Sequence, residues 1–503
     1  MISVVDFGSQ YTHLIAQKIR KLNVYAEIVN KIKADDIKSD IEGIILSGGP
    51  NSVYDAEALD IDKEIFNLGI PVLGICYGLQ LIGKHFNGSV SAGKKEYGPS
   101  KICVLNKESL FKGLPDEFKV WMSHGDSINS LDTEILASTE NCRYAAIKKE
   151  NIYGVQFHPE VQHTENGLKV LDNFLYICNC VKDYSLEDFI EKQVNLIRKK
   201  VGAAKVLMAA SGGIDSTVAA LLIQKAIGDN LHCVFVDNGL LRKNEAVKVI
   251  ELFGNYFKNF HFIDANELFL WGLEGVREPE KKREVIGELF IALFEEKAEE
   301  LEKLYGKFGF LGQGTLYPDR IESAQASKSA DRVKGHHNVA YLPEKMKLQL
   351  IEPLADLYKN EVREIGLKLG LPYSIVYNHP FPGPGLAVRL VDQPVTKEKL
   401  DILREADVIL REELVNNNLY YARWQAFPVL LGKSVGIKGD KRSYEHIVSI
   451  RIVDSEDGMT ADWTKLPPDI VNKLSRRIAN EVKGVNRVLI DITSKPPATI
   501  EYE

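Results

Sequence analysis

Two stretches of this sequence pair reactive side chains with the glycines that would expose them. The first spans residues 205–220, KVLMAASGGIDSTVAA, an apolar run that meets Ser211-Gly212-Gly213 and then a helix-forming segment from Ile214. The two glycines let consecutive backbone N–H groups turn inward. Ser211, Ser216 and Thr217 add hydroxyls, and a helix N-terminus stands behind them, so the loop suits phosphate. It lacks the lysine of a G-x-x-x-x-G-K-[ST] loop, and the nearest approach elsewhere, Gly432-Lys433-Ser434, has Phe427 where the first glycine belongs. Asp215 stands in its place. A carboxylate beside phosphate is tolerable with a divalent cation between them, which implies Mg2+.

The second stretch is Gly74-Ile75-Cys76-Tyr77-Gly78-Leu79-Gln80. This G-x-C-x-G pattern is a nucleophile elbow with sulfur in place of oxygen: flanking glycines permit a sharp turn, and the helix N-terminus behind it suits a nucleophile. A lone cysteine is more often a small buried hydrophobe, so its partners decide the reading. Downstream, Gly154-Val155-Gln156-Phe157-His158-Pro159-Glu160 reads as a strand ending in H-P-E. A period of two would put His158 and Glu160 on one side, with Glu160 orienting the imidazole that takes the thiol proton. Ser47-Gly48-Gly49-Pro50 is either a plain turn or, with the N–H of Tyr77, an oxyanion site. Ser123-His124-Gly125-Asp126 is either a polar turn or a substrate contact.

Both motifs need strands to present them. Apolar runs at 2–6, 24–29, 43–46 and 71–75, with a helical stretch at 12–22, predict a parallel sheet, whose sites lie beyond the C-terminal strand ends. The alternation repeats after residue 200: a strand to Ser211, a second at 231–236 ending in Asp237, and a third within 310–319, FLGQGTLYPD, whose tight Gly-x-Gly-Thr turn at Gly312 makes a second wall for a nucleotide. Asp237 stands where such folds often place a ribose-contacting acid, or in an ordinary turn. Residues 279–304 have helical apolar spacing with a solvated charged face, and Lys282 and Arg283 at its start could reach a phosphate. Residues 328–338, KSADRVKGHHN, are basic and poor in apolar anchors. They predict a mobile loop whose Lys334, His336 and His337 close over polyphosphate. HPFPGPGLAVR at 379–389 cannot continue a helix and predicts a rigid domain boundary before a small α+β domain.

Composition narrows the classes. The chain has 503 residues, 45% hydrophobic and 26% charged, and a net charge of −7. These values fit a multidomain globular protein without electrostatic pull toward nucleic acid or anionic membrane. No apolar run reaches membrane-span length and no signal-peptide pattern opens the chain. The six cysteines form no C-x-x-C pair or zinc spacing, so a reducing, cytoplasmic setting is expected.

GICYGLQ, with SGGP upstream and GVQFHPE downstream, resembles the class I glutamine amidotransferases. SGGIDS in its strand-and-helix context resembles the N-type ATP pyrophosphatases. The resemblance implies that Cys76 attacks the glutamine side-chain amide, that His158 is base and acid, and that Glu160 orients it. It also implies that Gly48, Gly49, Tyr77, Gln80, Ser123 and His124 serve the oxyanion and glutamine. In the second module it implies ATP contacts from Ser211, Gly212, Gly213, Ile214, Asp215, Ser216, Thr217, Asp237 and Gly312, with Mg2+ held by Asp215 through the phosphates. GFLGQGTLYPDRIESA, HPFPGPGLAVR and KPPATIEYE extend the resemblance over the whole chain to the glutamine-hydrolysing ligases that amidate XMP. They imply XMP contacts from Arg389, Lys495, Thr499, Ile500 and Glu501, and a homodimer through the C-terminal domain. The expected architecture is α/β: two doubly wound parallel-sheet domains, 1–181 and 182–379, and a small α+β dimerisation domain, 380–503.

Overall fold

The computed structural model describes all residues except 31–32, 321–347, 439, 456–457 and 459. It divides into two compact units, Met1–Ser185 and Leu186–Glu503.

In the first unit, β1 (Ile2–Val5), β2 (Ala26–Val29), β3 (Gly43–Leu46), β4 (Val72–Ile75) and β9 (Ile152–Val155) pair in parallel, in the order β2-β1-β3-β4-β9. β1, β3, β4 and β9 are buried along their whole length, which is why they read as unbroken apolar runs. β5 (Ser89–Val104), β6 (Glu117–Ser130), β7 (Glu134–Ser138) and β8 (Ala146–Lys149) extend the sheet with antiparallel pairing. Two details differ from expectation. Ser123-His124-Gly125-Asp126 is no turn: it lies within β6, laddered against β5. The strand that was to carry His158 and Glu160 stops at Val155, because the His158 N–H leaves the ladder to bond the Trp121 carbonyl at 3.0 Å.

The second unit holds two sheets. β10 (Val206–Ala209), β11 (Leu231–Asp237), β12 (Phe260–Asp264), β13 (Phe310–Gly312) and β14 (Gln349–Ile351) are all parallel, in the order β12-β11-β10-β13-β14. Alternation sorts their side chains. Val206, Met208, Cys233 and Phe235 share a core with helices Leu186–Val201, Ile214–Ile227 and Lys359–Lys368. Leu207 and Val234 face Phe294, Ala298 and Leu301 of the helix Pro279–Tyr305. The sheet is thus covered on both faces.

β15 (Gln425–Lys438), β16 (Lys441–Asp454) and β17 (Asp462–Trp463) form the last sheet, with β18 (Val485–Asp491) beside β16. Its core also takes in Leu240, Ala265, Phe269 and Ile286. The proline-rich stretch joins these parts as packed structure. Gly385 has φ +63° and a Cβ there would fall 2.5 Å from the Leu240 carbonyl, while the next N–H donates to that same oxygen at 2.8 Å. Lys282 does not reach toward a phosphate. It is fully buried, donating to the carbonyls of Ala387 and Leu390 and to Glu503 Oε2 at 2.6 Å, because an ammonium at this depth needs several acceptors.

Candidate active sites

In the first unit, helix Tyr77–His85 follows β4 with Cys76 as its N-cap at φ +53°, a conformation that a side chain adopts only under surrounding constraint. The glycines supply that constraint. A Cβ on Gly74 would fall 2.5 Å from the Gly78 carbonyl carbon, and one on Gly78 would fall 2.4 Å from the Leu46 oxygen. Strand, elbow and helix therefore pack backbone to backbone. The Cys76 N–H donates to Val155 at 2.8 Å, and the Gly78 N–H to Ser47 at 3.0 Å.

His158 Nδ1 lies 2.7 Å from Glu160 Oε1, and the Cys76 thiol acts on the same ring. All three residues are buried. Burial works against a charged imidazole, but the Glu160 carboxylate and the Cys76 contact outweigh it, so the His158 pKa is raised well above 6.5. A Cβ on Gly48 would touch His158 Cε1 at 3.2 Å, and one on Gly49 would touch the Tyr77 ring at 3.0 Å. These glycines thus border the triad. Gln80 Nε2 donates to the Asp126 carbonyl at 2.8 Å, and the Ser123 carbonyl is 3.6 Å from Cys76 Sγ. Gln156, which sequence reasoning passed over, places Nε2 3.6 Å from the same sulfur.

The second site lies where strand order reverses, between β10 and β13, the usual crevice of an open parallel sheet. Gly212 has φ +79° and packs so that a Cβ would fall 2.5 Å from Val249 Cγ2. The Oγ atoms of Ser211 and Ser216 are 3.1 Å apart, and Thr217 Oγ1 donates to the Gly213 carbonyl at 2.8 Å. Asp237 ends β11 and accepts from the Gly239 N–H at 3.0 Å; Gly312 ends β13. Asp215, in the first turn after the loop, pairs through Oδ2 with Lys359. Lys359 carried no signal, since 144 residues separate the two. Lys334, His336 and His337 lie outside the described residues.

At the chain end, Arg389 is fully buried beneath Phe427 and Phe381, and its fork closes on Glu501 at 2.9 and 3.2 Å. Gln425 Nε2 also reaches Glu501, at 2.7 Å. Arg451 donates to the carbonyls of Thr493, Thr499 and Ile500. Lys495 Nζ donates to the Gly458 carbonyl at 2.7 Å. The tail is thus an anchored segment, held by Arg451, which the sequence pattern did not single out, and by Lys282, which it had aimed at a phosphate.

A buried cysteine–histidine–glutamate triad on an elbow, joined to a phosphate-type loop at a switch point, defines a glutamine amidotransferase coupled to a nucleotide-using ligase. Residues 3–178 match the family model described as glutamine amidotransferase class-I, residues 184–281 that described as NAD synthase, and residues 412–502 that of the GMP synthase C terminal domain. Proteins described as GMP synthase [glutamine-hydrolyzing] from Brachyspira hyodysenteriae, Chlorobaculum tepidum and Carboxydothermus hydrogenoformans are 51%, 52% and 52% identical to it, over 100% of this chain and 99% of each relative. The chain belongs to the glutamine-hydrolysing GMP synthase family.

Proposed function

We propose that this chain amidates XMP to GMP with ammonia taken from glutamine, cleaving ATP to AMP and pyrophosphate. The observation that carries the reading is the buried Cys76–His158–Glu160 triad in one unit, with the SGGIDS loop at the switch point of a second parallel sheet. Cys76 attacks the glutamine amide carbon. The oxyanion faces the N–H groups near Gly48, Gly49 and Tyr77, His158 gives its proton to the leaving ammonia, and water then releases glutamate from the thioester. Gln80, Ser123 and His124 line the substrate's approach.

In the second unit, the loop Ser211, Gly212, Gly213, Ile214, Asp215, Ser216 and Thr217 holds the ATP phosphates, flanked by Asp237 and Gly312. XMP O2 attacks the α-phosphate and pyrophosphate leaves; ammonia then adds at C2 and AMP departs with that oxygen. Asp215 Oδ1 is buried without a hydrogen-bond partner, an open acceptor that fits a cation. Mg2+ there would neutralise phosphate charge. Lys495, Thr499, Ile500 and Glu501 form the XMP side of the site, with Arg389 fixing Glu501.

The work divides among domains 1–181, 182–379 and 380–503, one to each sheet. Exposed apolar side chains on the last hairpin, Val435, Ile437 and Tyr444, 57%, 77% and 67% accessible, support a homodimer through the C-terminal domain. Six unpaired cysteines fit a cytoplasmic setting, and among the described residues no helix is long and apolar enough to cross a membrane. XMP carrying 18O at O2 tests the adenylation step: the label is expected in the AMP phosphate. Label left in solvent water instead would contradict adenylation at O2.

A further inference from the structure

Glu96 belongs to neither catalytic constellation, yet it is buried at the edge of the first. It sits on β5 directly opposite His124 on β6, just after a register break in which three β5 residues face one on β6. One carboxylate oxygen, Oε1, accepts from the hydroxyls of Ser100 and Thr139 at 3.1 and 3.2 Å; the other lies 3.2 Å from His124 Nε2. On the far side of the ring, Nδ1 is 3.0 Å from the Asp126 carbonyl oxygen. A carbonyl only accepts, so Nδ1 carries a hydrogen; burial lowers the His124 pKa, while the Glu96 carboxylate facing Nε2 works the other way.

The Asp126 oxygen is also the one that receives Gln80 Nε2 at 2.8 Å, so both its lone pairs are committed. Three residues earlier on the same strand, the Ser123 carbonyl approaches Cys76 Sγ. A continuous line of contacts therefore runs from Glu96 through His124 and Asp126 to Gln80 beside the nucleophile. Beside the pair, His158 acts on His124, and Glu96 acts on Cys142. Cys142 Sγ stands within 4.8 Å of the Glu96 and His124 donor atoms, but burial and the Glu96 charge push its thiol up to about 12, leaving it neutral.

We propose that Glu96 is a positioning residue for glutamine hydrolysis: by holding His124 it fixes the Asp126 carbonyl, and with it the Gln80 amide beside Cys76. The proposal rests on the glutamine-hydrolysis reading above. The test measures glutamine KM and kcat in the full chain, alongside GMP formation from added ammonium. Glu96→Ala is expected to raise the glutamine KM on the order of tenfold, from the loss of a buried partner. Glu96→Gln, whose amide donates to the Nε2 lone pair of a neutral His124, is expected to stay within about threefold of the unaltered chain. Ammonium-supported synthesis is unchanged in both.

An unmoved KM in Glu96→Ala overturns the proposal, as does a Glu96→Gln variant equally impaired, or a parallel loss of ammonium-supported synthesis. Stoichiometric zinc in the unaltered protein that Glu96→Ala loses would also overturn it, by making Glu96, His124 and Cys142 metal ligands. Where Glu96→Ala does not fold, Thr139→Val removes one donor to Glu96 without emptying the site, and is expected to move KM in the same direction; no movement overturns the proposal. Absence of glutamine hydrolysis in the unaltered chain removes the underlying reading and the proposal together. Hydrolysis intact there but unmoved by Glu96→Ala removes the proposal alone.

Discussion

His158 shows how three side chains set one proton. Burial lowers the affinity of an imidazole for its second proton, while the Glu160 carboxylate and the Cys76 contact raise it and win. Because the folded pKa lies above the ordinary 6.5, this pairing stabilises the fold fully below about pH 6.5. That contribution is lost as pH rises through the raised value. The same direction governs activity. Glu160→Gln removes the carboxylate charge, so the basic limb of the pH profile for glutamine hydrolysis is expected to move to lower pH, with kcat down by roughly a hundredfold or more. A limb that stays in place would contradict Glu160 as the group that holds the His158 proton. The sequence revealed Cys76, His158 and Glu160 because all three lie in short motifs, although the strand alternation first used to pair the last two ends at Val155. Glu96 and Lys359 were illegible, since their partners are 28 and 144 residues away and nothing local marks either contact.

At the scale of elements, the glycines around Cys76 act by close approach. β3, β4 and the helix Tyr77–His85 meet where Gly74 and Gly78 leave no room for a Cβ. Gly78→Ala would drive a methyl into the Leu46 carbonyl, displacing helix from strand and the thiol from His158. Glutamine hydrolysis is expected to fall by roughly a hundredfold or more, the cost of a reacting group misplaced by about 1 Å, while ammonium-supported synthesis persists. Retained hydrolysis in Gly78→Ala would show that the elbow tolerates what its geometry forbids. The parallel strands were readable because burial on both faces makes them continuous apolar runs. The antiparallel extension was not: through SAGKKEYGPS β5 buries Glu96 alone, and its composition resembles a loop. That missed extension is what turned Ser123–Asp126 from an expected turn into part of a strand.

At the scale of the whole molecule, Lys282, Arg389 and Arg451 anchor the last residues to the second unit, so the chain end is built into its core. The hairpin β15–β16 instead leaves Ile437 and Tyr444 exposed. Light scattering is expected to give twice the 56.4 kDa of one chain, and a monomer once Ile437 and Tyr444 are both changed to lysine. A monomeric unaltered protein would refute the dimer. The two units imply a division of labour, with nitrogen released in the first and used in the second. Its most direct test supplies ATP, Mg2+ and XMP with either glutamine or ammonium, and compares the unaltered chain with Cys76→Ala. Cys76→Ala is expected to lose GMP formation from glutamine but to keep it, with pyrophosphate release, from ammonium. Loss of both in a folded variant, or no GMP from the unaltered chain with either nitrogen source, would contradict it.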